Sequence, residues 1–196
     1  MRAVSNVRTL KMVQLALLTA IIVIMAFTPI GYINMVGLSI TLIGIPVIIG
    51  AITLGPMAGA ILGGIFGLTS FARAFGLEPF GTALFAISPI GTFITCMVPR
   101  VLMGWLTGLI FHSLKKSDKT KFVSYVITSI SGAILNTVLF MASLMIFFYK
   151  SELIQGMARD LNVSSVVPLI IAMVGFNALA EIITSGILGT AIAKPV

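Results

Sequence analysis

The chain has 196 residues, of which 59% are hydrophobic and only 9% carry a formal charge, and its mean hydropathy is +1.19. A soluble domain of this size needs far more charge to cover its surface, so the composition predicts an integral membrane protein. The net charge of +7 does not indicate nucleic-acid binding, because the basic residues lie in short segments rather than in an aromatic-interleaved patch.

Six apolar segments are candidates for membrane spans, each of which needs about 20 residues. Proline, glycine and charge divide them at 10–29, 37–54, 56–72, 89–112, 122–149 and 164–192. The second and third are separated only by "LGP", which predicts a tight turn with Pro56 in the first position of the new helix. We therefore predict an all-α fold, with one membrane domain over 1–196 built as a six-helix bundle.

The distribution of lysine and arginine predicts the orientation of this bundle. With six spans, eight basic residues share one side: Arg2, Arg8, Lys11, Lys115, Lys116, Lys119, Lys121 and Lys194. The other side has three: Arg73, Lys150 and Arg159. Both termini are therefore expected to be cytoplasmic. Two long loops, 71–88 and 150–163, are expected outside, and the first of them is apolar with four phenylalanines.

Small residues recur at helical spacing in three spans. Glycines at 55, 59, 63 and 67 form one face of span 3, and Gly104 and Gly108 repeat the spacing in span 4. Such faces let neighbouring backbones approach closely, so we expect these two helices to pack together. In span 1, "ALLTA" places Ala16 and Ala20 on one face, which would suit the docking of another subunit if it pointed outward.

Polar side chains interrupt the later spans at depth. Arg100 lies inside "SPIGTFITCMVPRVLMGWLTGLIF", and its guanidinium stays charged although hydrocarbon disfavours it by at least a few kcal/mol. Span 5 contains Asn136, and span 6 contains Asn177 and Glu181 one turn apart. At 1.5 Å per residue, Arg100 lies about 15 Å from the outer end, the asparagines about 20 Å and Glu181 about 25 Å. Thr137 is expected to point elsewhere.

Two interpretations of these residues remain open. In one, Arg100 and Glu181 form an internal ion pair sealed by the asparagines. In the other, they line a polar pocket that opens to the outside under an aromatic lid. The pocket is favoured because an internal ion pair rarely improves on apolar packing. Arg100 would then bind a carboxylate, the asparagines would bind hydroxyl or amide groups, and Glu181 would accept hydrogen bonds or hold Arg100 in place.

The sequence has no catalytic motif. It lacks G-x-x-x-x-G-K-[ST], H-E-x-x-H and any Ser/His/Asp set, and no acidic cluster could hold a divalent metal. We therefore expect neither an enzyme nor a metal or cofactor in this chain. A binding protein without such a motif would depend on an energy source in another subunit.

Three stretches carry a resemblance to a known family: "ALLTA", "ITLGPMAGAILGGIFGLTSF" and "VPRVLMGWLTGLIF". They resemble the substrate-binding S-components of energy-coupling factor (ECF) transporters, over nearly the whole chain. The resemblance implies a multi-pass protein of a prokaryotic cell membrane that captures a vitamin from outside. It implies docking through Ala16 and Ala20 on a membrane scaffold subunit, which is bound to two cytoplasmic ATPase subunits that use ATP. The S-component would then topple and release the vitamin inward.

The resemblance also places the pocket in the outer half, between spans 4–6 and the loops after spans 1 and 3. The candidate substrate-binding residues are then Arg100, Asn136, Asn177, Glu181, Asn34, Tyr32, Phe27, Phe75 and Phe80. The sequence looks most like the pantothenate group, whose ligand is a flexible acid with an amide and hydroxyls. The alternatives are a hydroxymethylpyrimidine S-component, which would use Glu181 and Asn177, one for another vitamin, and, from another class, a stand-alone secondary transporter.

Overall fold

The computed structural model describes residues 2–29, 31–34, 39–117, 122–161, 163 and 165–193, without the side chains of 2–6, 32–34, 39–40, 117, 172–180 and 193. Within these residues the chain forms eight helices and one two-stranded hairpin. The helices are α1 (Arg2–Ala26), α2 (Gly44–Leu54), α3 (Pro56–Arg73), α4 (Pro79–Ile87), α5 (Pro89–Ser117), α6 (Phe122–Phe148), α7 (Glu152–Asp160) and α8 (Val166–Ala193). The strands are β1 (Tyr32–Asn34) and β2 (Ser39–Thr41).

The helical content confirms the predicted all-α class in its main feature. Among the described residues, three stretches are long and apolar enough to cross a membrane: Val7–Ala26, Pro89–Lys116 and Phe122–Phe148. Gly44–Leu54 and Glu181–Ile192 are shorter apolar helices. This is consistent with a helical membrane bundle. The count of six spans, the single domain and the orientation of the termini stay predictions.

The loop between α1 and α2 contains structure that the sequence analysis did not predict. β1 and β2 pair antiparallel, with Tyr32 opposite Thr41, so residues 39–41 belong to a strand rather than to the start of span 2. Ile40 and Thr41 are β-branched residues that favour an extended backbone. The helix itself begins only at Gly44.

Both predicted outer loops contain a helix as well. In 71–88, α3 continues to Arg73, and α4 follows with Pro79 in its first turn, where no backbone N–H is needed. In 150–163, the Ser151 hydroxyl caps α7 by accepting a hydrogen bond from the Ile154 N–H. The predictions of two irregular loops were therefore wrong, because short helices with a local start signal interrupt them.

The glycine faces of α3 and α5 pack against each other along their length, as their spacing predicts. A Cβ on Gly59 would collide with the Gly104 backbone, and a Cβ on Gly63 would collide with the carbonyl of Arg100. The turn before α3 depends on Gly55, whose φ of 99° is a conformation that other residues rarely adopt. The contact between Gly63 and the Arg100 carbonyl fixes the position of Arg100 along the bundle axis.

Buried clusters support the remaining elements. One joins α1, α2, α3 and α5 through Ile22, Val47, Phe66 and Met103, all of them fully buried. Another packs α7 and the start of α8 against the end of α6, and it includes the buried side chain of Phe148. The long helices therefore form a packed frame, with α4, α7 and the hairpin attached to it.

Candidate functional site

A pocket lies where α5, α6 and α8 face the hairpin and the connection between α3 and α4. The space that the centre of a water molecule can reach there is about 100 Å³, far more than one water needs. Its charged lining residues are Glu78, Arg100 and Glu181. Of the predicted residues, the structure brings Arg100, Asn136, Glu181 and Phe80 to this one pocket.

The side chain of Arg100 hydrogen-bonds to a backbone carbonyl that has no helical partner because Pro99 lacks an N–H. The N–H of residue 99 would normally bond to the carbonyl of Thr95, one turn earlier, but Pro99 has no N–H. The Nη1 of Arg100 donates to this Thr95 carbonyl at 2.7 Å. The adjacent proline and arginine therefore supply both the vacant acceptor and its donor.

Another nitrogen of the guanidinium has no hydrogen-bond partner in the described part of the chain. The guanidinium Cζ lies 4.4 Å from the centroid of the Phe140 ring and 5.4 Å from that of Phe66, which places the cation over aromatic faces. Its Nε is buried and has no hydrogen-bond partner among the described residues. A buried donor without a partner is unfavourable, so this site is suited to an anion that would accept from it.

Glu181 fastens the hairpin to the helices. Its Oε1 accepts a hydrogen bond from the backbone N–H of Thr41 at 2.8 Å, and its Oε2 accepts a long one from Thr137 Oγ1 at 3.5 Å. The side chain of Asn136 also hydrogen-bonds this carboxylate. Thr137 therefore reaches the pocket, and the prediction that it points elsewhere was wrong, because the pocket is wide enough to contact two successive residues of α6.

Arg100 and Glu181 interact electrostatically, but each makes its own hydrogen bonds with other groups. This arrangement differs from a sealed ion pair. Asn136 Oδ1 is buried and has no hydrogen-bond partner within the described part of the chain. Arg100 thus presents an unused donor and Asn136 an unused acceptor, and both residues line the same pocket.

The sequence analysis did not identify Glu78, which lines the pocket just before α4. Burial raises the pKa of its carboxyl, and the positive charges of Arg73 and Arg100 oppose this rise. One sequence signal could have found it, since Glu78 is the first acidic residue of the chain and stands in a predicted apolar lid. Phe140 was missed because a phenylalanine in an apolar span carries no such signal.

The other predicted residues lie elsewhere or outside the description. Phe75 is 63% exposed and packs in a cluster of rings with Phe71 and Phe85, and Phe27 is 52% exposed just after α1. Within the described residues, neither of the two lines the pocket, because each follows a helix end that points its ring outward. The side chains of Tyr32, Asn34 and Asn177 lie outside the described residues.

The proposed docking face is exposed. Ala16 and Ala20 lie on the outer side of α1, with the apolar side chains of Leu17 and Ile24 beside them. The opposite side of α1 packs through Ile22 and Ala26, which are fully buried. The geometry that docking requires is therefore present, and the docking itself stays a prediction.

Comparison with known proteins gives consistent matches. Residues 10–193 match the family model described as "ECF transporter, substrate-specific component". The pantothenic acid transporter PanT of Lactococcus lactis subsp. cremoris is 33% identical over 162 residues, covering 78% of this chain and 74% of that protein. The pantothenate transporter PanT of Leuconostoc mesenteroides subsp. mesenteroides is 30% identical over 198 residues, covering 97% and 93%.

Proposed function

Because this chain belongs to the family of substrate-specific components of ECF transporters, we propose that it binds pantothenate from outside the cell for uptake. Both curated relatives are named as pantothenate transporters and match most of the chain. The observation that carries the proposal is that Arg100 and Asn136 line one pocket and that each has a buried polar atom without a partner in the described part of the chain, a donor on Arg100 and an acceptor on Asn136.

The chemistry of pantothenate fits these groups. It has a carboxylate at one end, an amide in the middle and two hydroxyl groups at the other end. Arg100 would bind the carboxylate, and the Oδ1 of Asn136 would accept from an amide or hydroxyl group. Phe80 and Phe140 would cover the apolar part of the ligand. Asn177, Tyr32 and Asn34 belong to the proposed site through their positions in α8 and β1.

The proposal includes partners and location. The chain would reside in a prokaryotic cell membrane as a multi-pass protein, without a cofactor and without catalytic activity of its own. A membrane scaffold subunit would dock on the face of Ala16 and Ala20, and two ATPase subunits would supply the energy from ATP. Support for this assembly comes from membership of the family of substrate-specific components of ECF transporters.

The test is a calorimetric titration of the purified chain with pantothenate. We expect tight binding by the wild type and a loss of at least tenfold in Arg100→Ala, since a hydrogen bond to a charged group contributes about 1.5–3 kcal/mol. Arg159→Ala is the matched control, because Arg159 is an exposed arginine of α7 far from the pocket lining. Its affinity should equal that of the wild type.

The same titration separates the alternatives. If Arg100→Ala binds pantothenate as tightly as the wild type, pantothenate remains the assigned vitamin and Arg100 has a structural role only. Tight binding of hydroxymethylpyrimidine, with none of pantothenate, would move the assignment to that vitamin and to Glu181 as its main contact.

A further inference from the structure

The pocket contains two carboxylates and one guanidinium. Glu78 stands on the side of α4, Glu181 stands on α8, and both interact electrostatically with Arg100. An anionic ligand at Arg100 would bring a third negative charge into the same low-dielectric space. Even with Arg73, which interacts with Glu78 from the end of α3, three negative charges would then face two positive ones, so binding of an anion favours protonation of one carboxylate.

The two carboxylates differ in how they are held. Glu181 accepts hydrogen bonds from Thr41, Thr137 and Asn136, which fasten the hairpin. Glu78 stands in the N-cap position of α4 but makes no side-chain hydrogen bond to cap that helix. It is also partly exposed, in the connection between α3 and α4, where protons from the solution can reach it. Glu78 is therefore the carboxylate that can change its charge without releasing the hairpin.

The groups that face Glu78 come from two helices. Arg73 ends α3, and Arg100 and the thiol of Cys96 belong to α5. Arg73 already donates to the carbonyl of Ala26 at 2.7 Å, which joins the ends of α1 and α3. Burial raises the pKa of the Glu78 carboxyl in spite of both arginines, and a further negative charge nearby would raise this pKa again.

We propose that Glu78 takes up one proton when an anionic ligand binds to Arg100, so that capture of the anion is coupled to a proton. This inference rests on the proposed function, because it requires a ligand with a carboxylate. The proton comes from the outer solution and converts the Glu78 carboxylate to the neutral acid. The pocket then has the same net charge when it is empty and when it is loaded, and the neutral carboxyl can donate a hydrogen bond to the ligand.

The direction of the pH dependence follows from this. The loaded pocket holds more protons than the empty one, so affinity rises as pH falls, by up to tenfold per pH unit. The rise occurs between the higher pKa of Glu78 in the complex and its lower pKa in the empty pocket. Below that interval the affinity levels off, and it falls once the carboxyl of the ligand itself is protonated.

The experiment is a titration of the full chain with pantothenate at several pH values, each in two buffers with different ionisation enthalpies, phosphate and Tris. The difference in heat gives the number of protons taken up per ligand. We expect uptake of up to one proton in the wild type and none in Glu78→Gln, with the pH dependence of affinity flattened in the variant. Glu152→Gln, at an exposed glutamate of α7, should match the wild type.

A second ligand keeps the test independent of how the variant folds. Pantothenol, in which an alcohol replaces the carboxylate, should bind to the wild type without proton uptake. Pantothenate binding without uptake, with proton release, or with uptake that persists in Glu78→Gln would overturn the inference and leave the proposed function standing. No binding of pantothenate at any pH would overturn the proposed function, and this inference with it.

Discussion

The position of Arg100 depends on the residue before it. Pro99 removes a backbone donor from the middle of α5, and the arginine side chain takes the carbonyl that this leaves vacant. The cation is thereby held toward the pocket, although burial of a charge at this depth is unfavourable. Pro99 makes the helix less stable, and in return Arg100 is held in a fixed position where it could bind an anion.

Pro99→Ala tests this relation. The new N–H would bond to the Thr95 carbonyl and displace the guanidinium, so affinity for pantothenate should fall by about tenfold, or ~1.4 kcal/mol. The melting temperature in detergent should rise, because a proline inside a helix is destabilising. Both are measured on the same preparation, by calorimetry and thermal unfolding. Pro168→Ala, in the first turn of α8, should change neither by much. An unchanged affinity for Pro99→Ala would show that the proline does not position Arg100.

Glu78 gives a prediction about stability in the absence of ligand. Burial raises the pKa of its carboxyl in the folded chain, so the folded state holds this proton more tightly than the unfolded state does. Stability contributed by the neutral acid is therefore complete at low pH and is lost as pH rises through the raised pKa. Glu78→Gln should melt higher than the wild type at pH values above the raised pKa, by about 2–4 °C, and equally at pH values below the ordinary carboxyl pKa of 4.5. A variant that melts lower at every pH would mean that the pairing with Arg73 outweighs burial.

The sequence predicted part of the site at this scale. Arg100, Asn136 and Glu181 were identified because charged and amide side chains are rare in spans. Counting along straight helices placed them at depths within about 10 Å of one another. Glu78 was missed because the depth argument applies only inside a span. The bond between Thr41 and Glu181 was missed because a backbone donor has no sequence signal.

Among the elements, the long helices were the most predictable. Apolar runs bounded by proline, glycine and charge placed α3 and α6 to within a residue or so of their observed ends. The hairpin, α4 and α7 were not predicted, because they are too short for hydropathy to distinguish them from a loop. The hairpin and α4 line the pocket, so the predictable part is the helical frame and the unpredicted part includes two of the pocket walls.

The hairpin is expected to loosen when Glu181 loses its charge. Glu181→Gln keeps an acceptor for the Thr41 N–H but removes the charge that strengthens the bond. Amide hydrogen exchange in the peptide that contains Thr41 should become faster, and the dissociation of bound pantothenate should speed up with it. Glu152→Gln serves as the control. Unchanged exchange in Glu181→Gln would show that other contacts hold the hairpin.

At the scale of the whole molecule, the face of α1 that carries Ala16 and Ala20 is exposed in the described part of the chain. It presents small residues at its centre and apolar side chains around them. A helix of another subunit could approach closely there, as small residues allow in lipid. If the chain takes part in ATP-driven uptake as proposed, this face would let it contact the subunits that hydrolyse ATP.

Ala16→Trp should leave pantothenate affinity unchanged and abolish copurification with the scaffold and ATPase subunits, because the large ring fills the docking face. Val138→Trp, at an exposed position of α6, is the matched control and should assemble normally. In liposomes, the wild type alone should take up no pantothenate, and the assembled complex should take it up only with ATP. Uptake by the isolated chain would favour a secondary transporter, and normal assembly of Ala16→Trp would place the docking face elsewhere.

The contact between α3 and α5 has a consequence for how such a binding chain could be redesigned. Any side chain at Gly63 would push against the carbonyl of Arg100, so the part of α5 that carries Arg100 has little freedom to shift against α3. The wall formed by α4 has more room, since a Cβ on Gly81 would come only to 3.3 Å from the Cα of Ala74, just after α3. To make the chain bind a longer or shorter acid, one would therefore keep α3 and the part of α5 up to Gly108. Only α4 and the hairpin would be exchanged.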